Sequence, residues 1–181
     1  MNRYALVALL ALAALPARAD TTIALSGPVD WDMVRALERA TNRAEPGPIT
    51  IEIDSRGGRV DAGFEIATKI KMLRLTGHAV ITRVTRNCMS MCVVIYAEGD
   101  RRVAAPDSKW MLHAAENPTD EADAERATAK TVSILIQRGV NPDWLTGLVA
   151  RGVFTTPKTE ARFSGADLYA THSNLVTEIE P

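Results

Sequence analysis

The sequence predicts an α/β protein, with a mostly parallel sheet built from repeated ββα and βαβ units and flanked by helices. Three observations lead there. Strand-type and helix-type segments alternate along the chain, which is the pattern of parallel sheets covered on both sides. Glycine and proline mark most of the junctions between them. The 181 residues are 46% apolar and 24% charged, close to folded soluble domains and long enough for one hydrophobic core. The formal charge of −1 gives no electrostatic case for nucleic acid or an anionic membrane surface as a partner.

The first twenty residues are read apart from the rest. Arg3 is followed by an apolar run from Ala5 to Leu15, then by Ala17-Arg18-Ala19 and Asp20. Positive start, apolar middle and small residues at the cut are the order of a secretory signal peptide. The run is well short of the roughly 20 residues a membrane-spanning helix needs. The expected organisation is a signal peptide over 1–19 and a single domain over 20–181, with a periplasmic destination. Removing Arg3 and Arg18 with the peptide shifts the net charge from −1 to −3.

Thr22 to Leu25 reads as a strand closed by Ser26-Gly27-Pro28. Asp30 can cap a helix in which Trp31, Val34, Leu37 and Ala40 share a face. Pro46-Gly47-Pro48 breaks that helix, and Ile49 to Ile53 alternates as a strand. Asp54-Ser55-Arg56-Gly57-Gly58 turns into a second helix striped by Phe64, Ala67, Ile70 and Leu73, ending at Gly77. Ala79 to Val84 is a strand, and Ser90 to Ala97 a buried helix stopped by Gly99. Arg102 to Ala104 and Lys109 to Leu112 are extended, separated by Pro106-Asp107-Ser108. Helices are expected over Glu121 to Arg138, from Asn141 to near Gly152, and around Ala166 to Ala170, with a last strand at Leu175 to Ile179. Trp31, Trp110 and Trp144 are expected in the core or an interface. Arg83, Arg86, Arg101 and Arg102 are expected on a solvated face, as are His78 and His172.

Three segments carry chemistry. The Gly57-Gly58 turn lets backbone N–H groups approach a reacting group without a Cβ in the way, at a helix start with its unpaired donors. Ser90 sits where a strand meets an apolar helix, the place of a serine nucleophile; the ordinary alternative is a helix cap. His113 ends a strand and is a general base only in combination with Ser90. Cys88 and Cys92 flank the serine as Cys-x-Ser-x-Cys. In an oxidising compartment they invite pairing, while two buried thiols are the alternative. Two cysteines and three scattered histidines give no zinc spacing.

Taken in order, the glycine turn, Ser90-Met91, Gly99, Pro106-Asp107-Ser108 and Met111-Leu112-His113 resemble the Clp protease proteolytic subunit family. The resemblance is good from Ile49 to Ala114 and looser from Arg162-Phe163-Ser164 to Val176. It implies a ClpP/crotonase-like fold, with Ser90 as nucleophile and His113 as general base. It also implies that the Gly57 and Met91 N–H groups form the oxyanion hole. Arg56 stands where that family has a proline, and Ala161 where it has the third member of the triad, an aspartate. Glu160 is the adjacent substitute, with Asp143, Asp167 and Glu116 as further ones. No metal or organic cofactor is implied. The expected partner is a peptide or protein substrate, with no ATPase partner and with a homo-oligomer allowed. The leading expectation is a periplasmic, ATP-independent serine peptidase. Ala161 favours a rival, an inactive binding module of the same fold. A crotonase-like acyl-CoA enzyme is the third reading, and export counts against it.

Overall fold

Residues 20–44, 47–117 and 119–181 are described by a computed structural model. The segment read as a signal peptide lies outside them. Five strands, β1 (Thr21–Ser26), β2 (Ile49–Asp54), β3 (Val80–Val84), β5 (Arg101–Ala104) and β8 (Glu178–Ile179), form an all-parallel sheet in the order β1-β2-β3-β5-β8. A second sheet holds β4 (Asn87–Met89), β6 (Lys109–Leu112) and β7 (Ala161–Ser164) in the order β4-β6-β7. There β4 runs parallel to β6, and β7 antiparallel to it.

Alternation drives the main sheet. In β2, Ile49, Ile51 and Ile53 are buried while Thr50, Glu52 and Asp54 reach the surface layer. Helix α1 (Trp31–Thr41) starts where Asp30 accepts the Met33 N–H at 2.9 Å, and it buries Met33, Val34 and Leu37. Its Trp31 is 43% exposed, so it does not join the core. The apolar face lies one step off the one that includes Trp31. Helix α2 (Val60–Leu75) buries Ala62, Gly63, Ile66, Ala67 and Ile70, leaving Phe64 and Leu73 at the margin.

Helix α3 (Met91–Ala97) is buried along its whole length, as expected of a helix apolar on every side. Each fully buried aliphatic side chain there contributes about 1.5–3 kcal/mol. Tyr96 packs edge-on against Trp110 with ring centroids 4.7 Å apart. Burial pushes its phenol well above the ordinary range. Helices α4 (Glu121–Gln137), α5 (Pro142–Ala150) and α6 (Gly165–Ala170) complete the order, and each begins at a capping side chain: Asp120, Asn141 and Ser164. No helix among the described residues is long and apolar enough to cross a membrane.

Arg102 departs from the expected solvated face. It is 6% exposed and donates to the carbonyls of Leu175 at 2.9 Å, Arg138 at 3.0 Å and Asn174. Among the described residues it makes no ion pair. Its guanidinium is shared among backbone acceptors that join the end of α4 and the C-terminal segment to β5. The neighbouring arginines behave differently: Arg83 pairs with Glu52 and Glu180, Arg86 with Asp54, and Arg101 with Glu178.

Hydrogen bonds from a charged group contribute about 1.5–3 kcal/mol each, and leaving buried acceptors unpaired adds to the loss. Arg102→Met is therefore expected to lower unfolding stability by about 3 kcal/mol, read from the shift of the urea midpoint. A change below about 0.5 kcal/mol would mean that the C-terminal segment is held by other contacts.

Candidate active site

The site is assembled by the small sheet. Strand β4 pairs with β6 in the register Asn87–Lys109, Cys88–Trp110 and Met89–Met111. The ladder continues one step, with the Ser90 N–H donating to the Met111 carbonyl at 2.8 Å. Ser90 thus sits at the end of β4, beside the end of β6, and His113 follows immediately. Their side chains meet: Ser90 Oγ lies 2.7 Å from His113 Nε2. With that nitrogen unprotonated, the serine hydroxyl donates to it. Both residues are half-buried.

Ser90 has φ 53° and ψ −122°, a conformation that side-chain-bearing residues rarely adopt and that costs of order 1–3 kcal/mol. It occupies the cap position of α3 but makes no side-chain cap bond, because its hydroxyl is turned to His113. Of the two sequence readings of this serine, the helix cap is therefore not the one its side chain adopts. The cap is absent.

The glycine turn is pinned to the other side of β4. Ser55 N–H donates to Asn87 O at 2.9 Å, Met89 N–H donates to Ser55 O at 3.1 Å, and Asn87 Nδ2 donates to Asp54 at 2.9 Å. Gly57 has φ +91°, and a Cβ built on it would stand 2.7 Å from Met89 O and from Ser90 Cβ. Only glycine leaves room for this approach. The same built Cβ is 3.2 Å from Met91 N, so the two expected oxyanion donors belong to one locality. Met91 N–H is at the first position of α3, where the helix itself supplies no acceptor. The Gly57 N–H donates to the hydroxyl of buried Ser55 at 3.1 Å, a partner the sequence reading did not include.

No carboxylate among the described residues hydrogen-bonds His113. Ala161 pairs across the strands with Leu112. Glu160 lies next to it, but its carboxylate accepts from Arg162 at 2.6 and 3.0 Å. Asp167 is engaged in a capping box with Ser164, which holds its carboxyl below the usual range. Asp143 and Glu116 are exposed. None of the four joins the histidine.

Beside Ser90 and His113 lies an apolar cavity of about 30 Å³, walled by Val94, Leu112, Leu135 and Phe154 among others. It has room for a water or two. Two larger clefts lie nearby. One of about 580 Å³ borders Gly58 and Val60, and one of about 910 Å³ runs along α4 to Phe154. Ala115 lines all three.

Cys88 and Cys92 are joined in a disulfide, with Cα atoms 5.2 Å apart. Cys88 is in the middle of β4 and Cys92 is the second residue of α3. Two cysteines four residues apart within one regular helix would be poorly spaced for a bridge, but Cys88 lies before the helix begins.

A serine held at a strained strand-to-helix junction, with a histidine nitrogen at hydrogen-bond distance, is the nucleophile-and-base arrangement of serine hydrolases. The chain belongs to the Clp protease family, whose sequence model matches residues 17–137. Among curated relatives, the ATP-dependent Clp protease proteolytic subunit 1 of Chlamydia pneumoniae is 41% identical over 70 residues, 38% of this chain and 36% of that protein. The proteolytic subunit 2 of Treponema denticola is 28% identical over 95 residues, 50% of this chain and 47% of that one. The matches thus span between about a third and a half of these relatives' length. ClpP1 from Listeria monocytogenes superposes with a TM-score of 0.71 at 20% identity, covering 88% of this chain and 90% of that one. A peptidase from Plasmodium falciparum gives 0.66 at 13% identity, covering 88% and 95%. At these identities the solved structures speak to the fold, which is that of ClpP.

Gly57→Ala tests how tightly the turn and the serine are packed. A methyl group there meets backbone, and the positive φ adds strain, so stability should fall by more than about 1 kcal/mol. A crystal structure of the variant should show Ser90 displaced and its hydroxyl no longer in reach of His113. An unmoved serine in a fully stable variant would show that the turn is slack.

Proposed function

We propose that this chain is an exported serine peptidase of the Clp protease family, acting on peptide or protein substrates in the periplasm without an ATPase partner. The observation that carries the proposal is the 2.7 Å contact between Ser90 Oγ and His113 Nε2 at a serine kept in a strained backbone conformation. Such strain persists only where the surroundings over-determine it, and it gathers at functional sites.

In the proposed reaction His113 Nε2 takes the Ser90 proton as the oxygen attacks the scissile carbonyl, giving a tetrahedral oxyanion. The N–H groups of Gly57 and Met91 face that oxyanion, each such donor contributing about 3 kcal/mol. The proton then passes from His113 to the leaving amine, and the acyl group remains on Ser90 until water, activated by the same nitrogen, releases it. Ser55 Oγ is the acceptor that Gly57 N–H leaves when it turns to the oxyanion. The pair works without a carboxylate to orient the imidazole and stabilise its charged form, so turnover should be slow beside a full triad. The same missing partner favours a second reading, a peptide-binding module that keeps the fold and cleft without turnover.

A fluorophosphonate probe separates the two, because it labels only an activated serine. Wild-type protein should label at Ser90. Ser90→Ala and His113→Ala should each remove the labelling and any peptidase activity, and the double variant should be no worse than either, since members of one catalytic unit are not additive. Wild-type protein that stays unlabelled would leave the binding module.

Export rests on the order of Arg3, the apolar run and Ala17-Arg18-Ala19. Intact-mass measurement on protein from the periplasmic fraction should give a chain beginning at Asp20. Full-length protein recovered from the cytoplasm would overturn the localisation.

A further inference from the structure

Most helices here start on a side-chain cap: Asp30, Asp120, Asn141 and Ser164 each accept a backbone N–H from the first turn. Helices α2 and α3 have none, and at α3 the side chain in the cap position is Ser90, committed to His113. At α3 the uncapped start directly follows a residue in a strained conformation, held to β6 by the Ser90 N–H on Met111 O.

The disulfide is placed to hold that start of α3 against β4. Its ends are Cys88, which pairs across the ladder with Trp110 and bridges to Ser55, and Cys92 in the first turn of α3. Ser90 is the middle residue of the five that the bond encloses. Extended chain would separate the two Cα atoms by about 13 Å, yet they lie 5.2 Å apart. The bond therefore excludes extended conformations of Met89-Ser90-Met91 and keeps the chain reversed at the serine. Both cysteines are fully buried, which shields the bond from thiol exchange while the protein is folded. It is thus placed as a permanent part of the site.

We propose that the Cys88–Cys92 disulfide is a positioning clamp for Ser90, so that the oxidised chain is the active form. Its kinetic consequence rests on the hydrolase reading; its structural consequence does not. Closure removes the open conformers of the loop, leaving the population in which Ser90 N–H meets Met111 O and Ser90 Oγ meets His113. Without the bond the loop samples others, and the reacting pair is assembled for only part of the time.

The test compares wild-type protein with Cys88→Ala/Cys92→Ala at a temperature well below both melting midpoints. Fluorophosphonate labelling should slow at least about tenfold through the maximal inactivation rate, with the probe's apparent binding constant changed less than about threefold. Amide hydrogen exchange at Ser90 and Val93, whose N–H groups donate to Met111 O and Ser90 O, should speed up at least about tenfold, while Ile51 and Ile53 in β2 exchange as before. A lower melting midpoint with unchanged labelling and unchanged local exchange would overturn the proposal, leaving a bond that stabilises the fold only. Should wild-type protein fail to label, the hydrolase reading falls and the exchange comparison alone decides the clamp. Should the double variant fail to fold, Cys88→Val/Cys92→Val, which fills the buried space the alanines leave empty, or wild-type protein reduced by dithiothreitol in urea and refolded under reductant, takes its place in the same measurements.

Discussion

The parallel pairing of β4 with β6 is the constraint on which the rest of the site depends. Three residues of β4 meet three of β6, and the ladder runs one step further to the Ser90 N–H on Met111 O. A shift of one residue would turn every side chain of β4 to the opposite face, moving Ser90 away from His113 and Cys88 out of the interior. So short a ladder is weak alone. It is held from both sides, by the Ser55 bridge to β4 and by the antiparallel pairing of β7 with β6. The glycine turn, the strand that leads to Ser90 and the strand that leads to His113 are therefore one hydrogen-bonded assembly.

Behind that assembly, α3 supplies rigidity. Its side chains fill the interior between α2 and α4, so the helix cannot rotate without opening the core. Gly63 of α2 is part of this fit: a Cβ there would stand 2.1 Å from the Met91 side chain. Backbone donors near a reacting group are useful only when the helix that carries them stays in place, because their effect comes from orientation set before the reaction. A buried helix of seven residues meets that need better than a longer surface helix would.

The histidine side of the site is less fully built. In β7 the residue opposite Leu112 is Ala161, and the nearest acidic neighbour in sequence is bound to Arg162 in an exposed ion pair. Exposed pairs of this kind contribute little to stability, so the pairing sets where Glu160 points more than how firmly the strand is held. The cavity at Ser90 is small, and the two larger clefts share Ala115 with it.

Much of the fold was legible in the sequence because its signals are local. Ile49 to Ile53 announces a half-buried strand through its period of two, and Met91 to Ala97 announces a buried helix through unbroken apolarity. Ser90, His113 and the glycine turn could be named because each stands at a junction that such patterns reveal. Strands β4 and β7 were not legible, since three or four residues without periodicity look like loop until a partner strand supplies the hydrogen bonds. Arg102 reads as a surface residue because its partners are backbone carbonyls at distant positions, and backbone acceptors leave no mark on sequence. The commitment of Glu160 to Arg162, of Asp167 to Ser164 and of Gly57 N–H to Ser55 was likewise open until the chain was folded. Each of these groups had several acceptable partners in reach. The sequence by itself determined which residue types stand at which junctions; only the tertiary structure decided which of them meet, because a hydrogen bond depends on distances of a few tenths of an ångström that residue order does not encode.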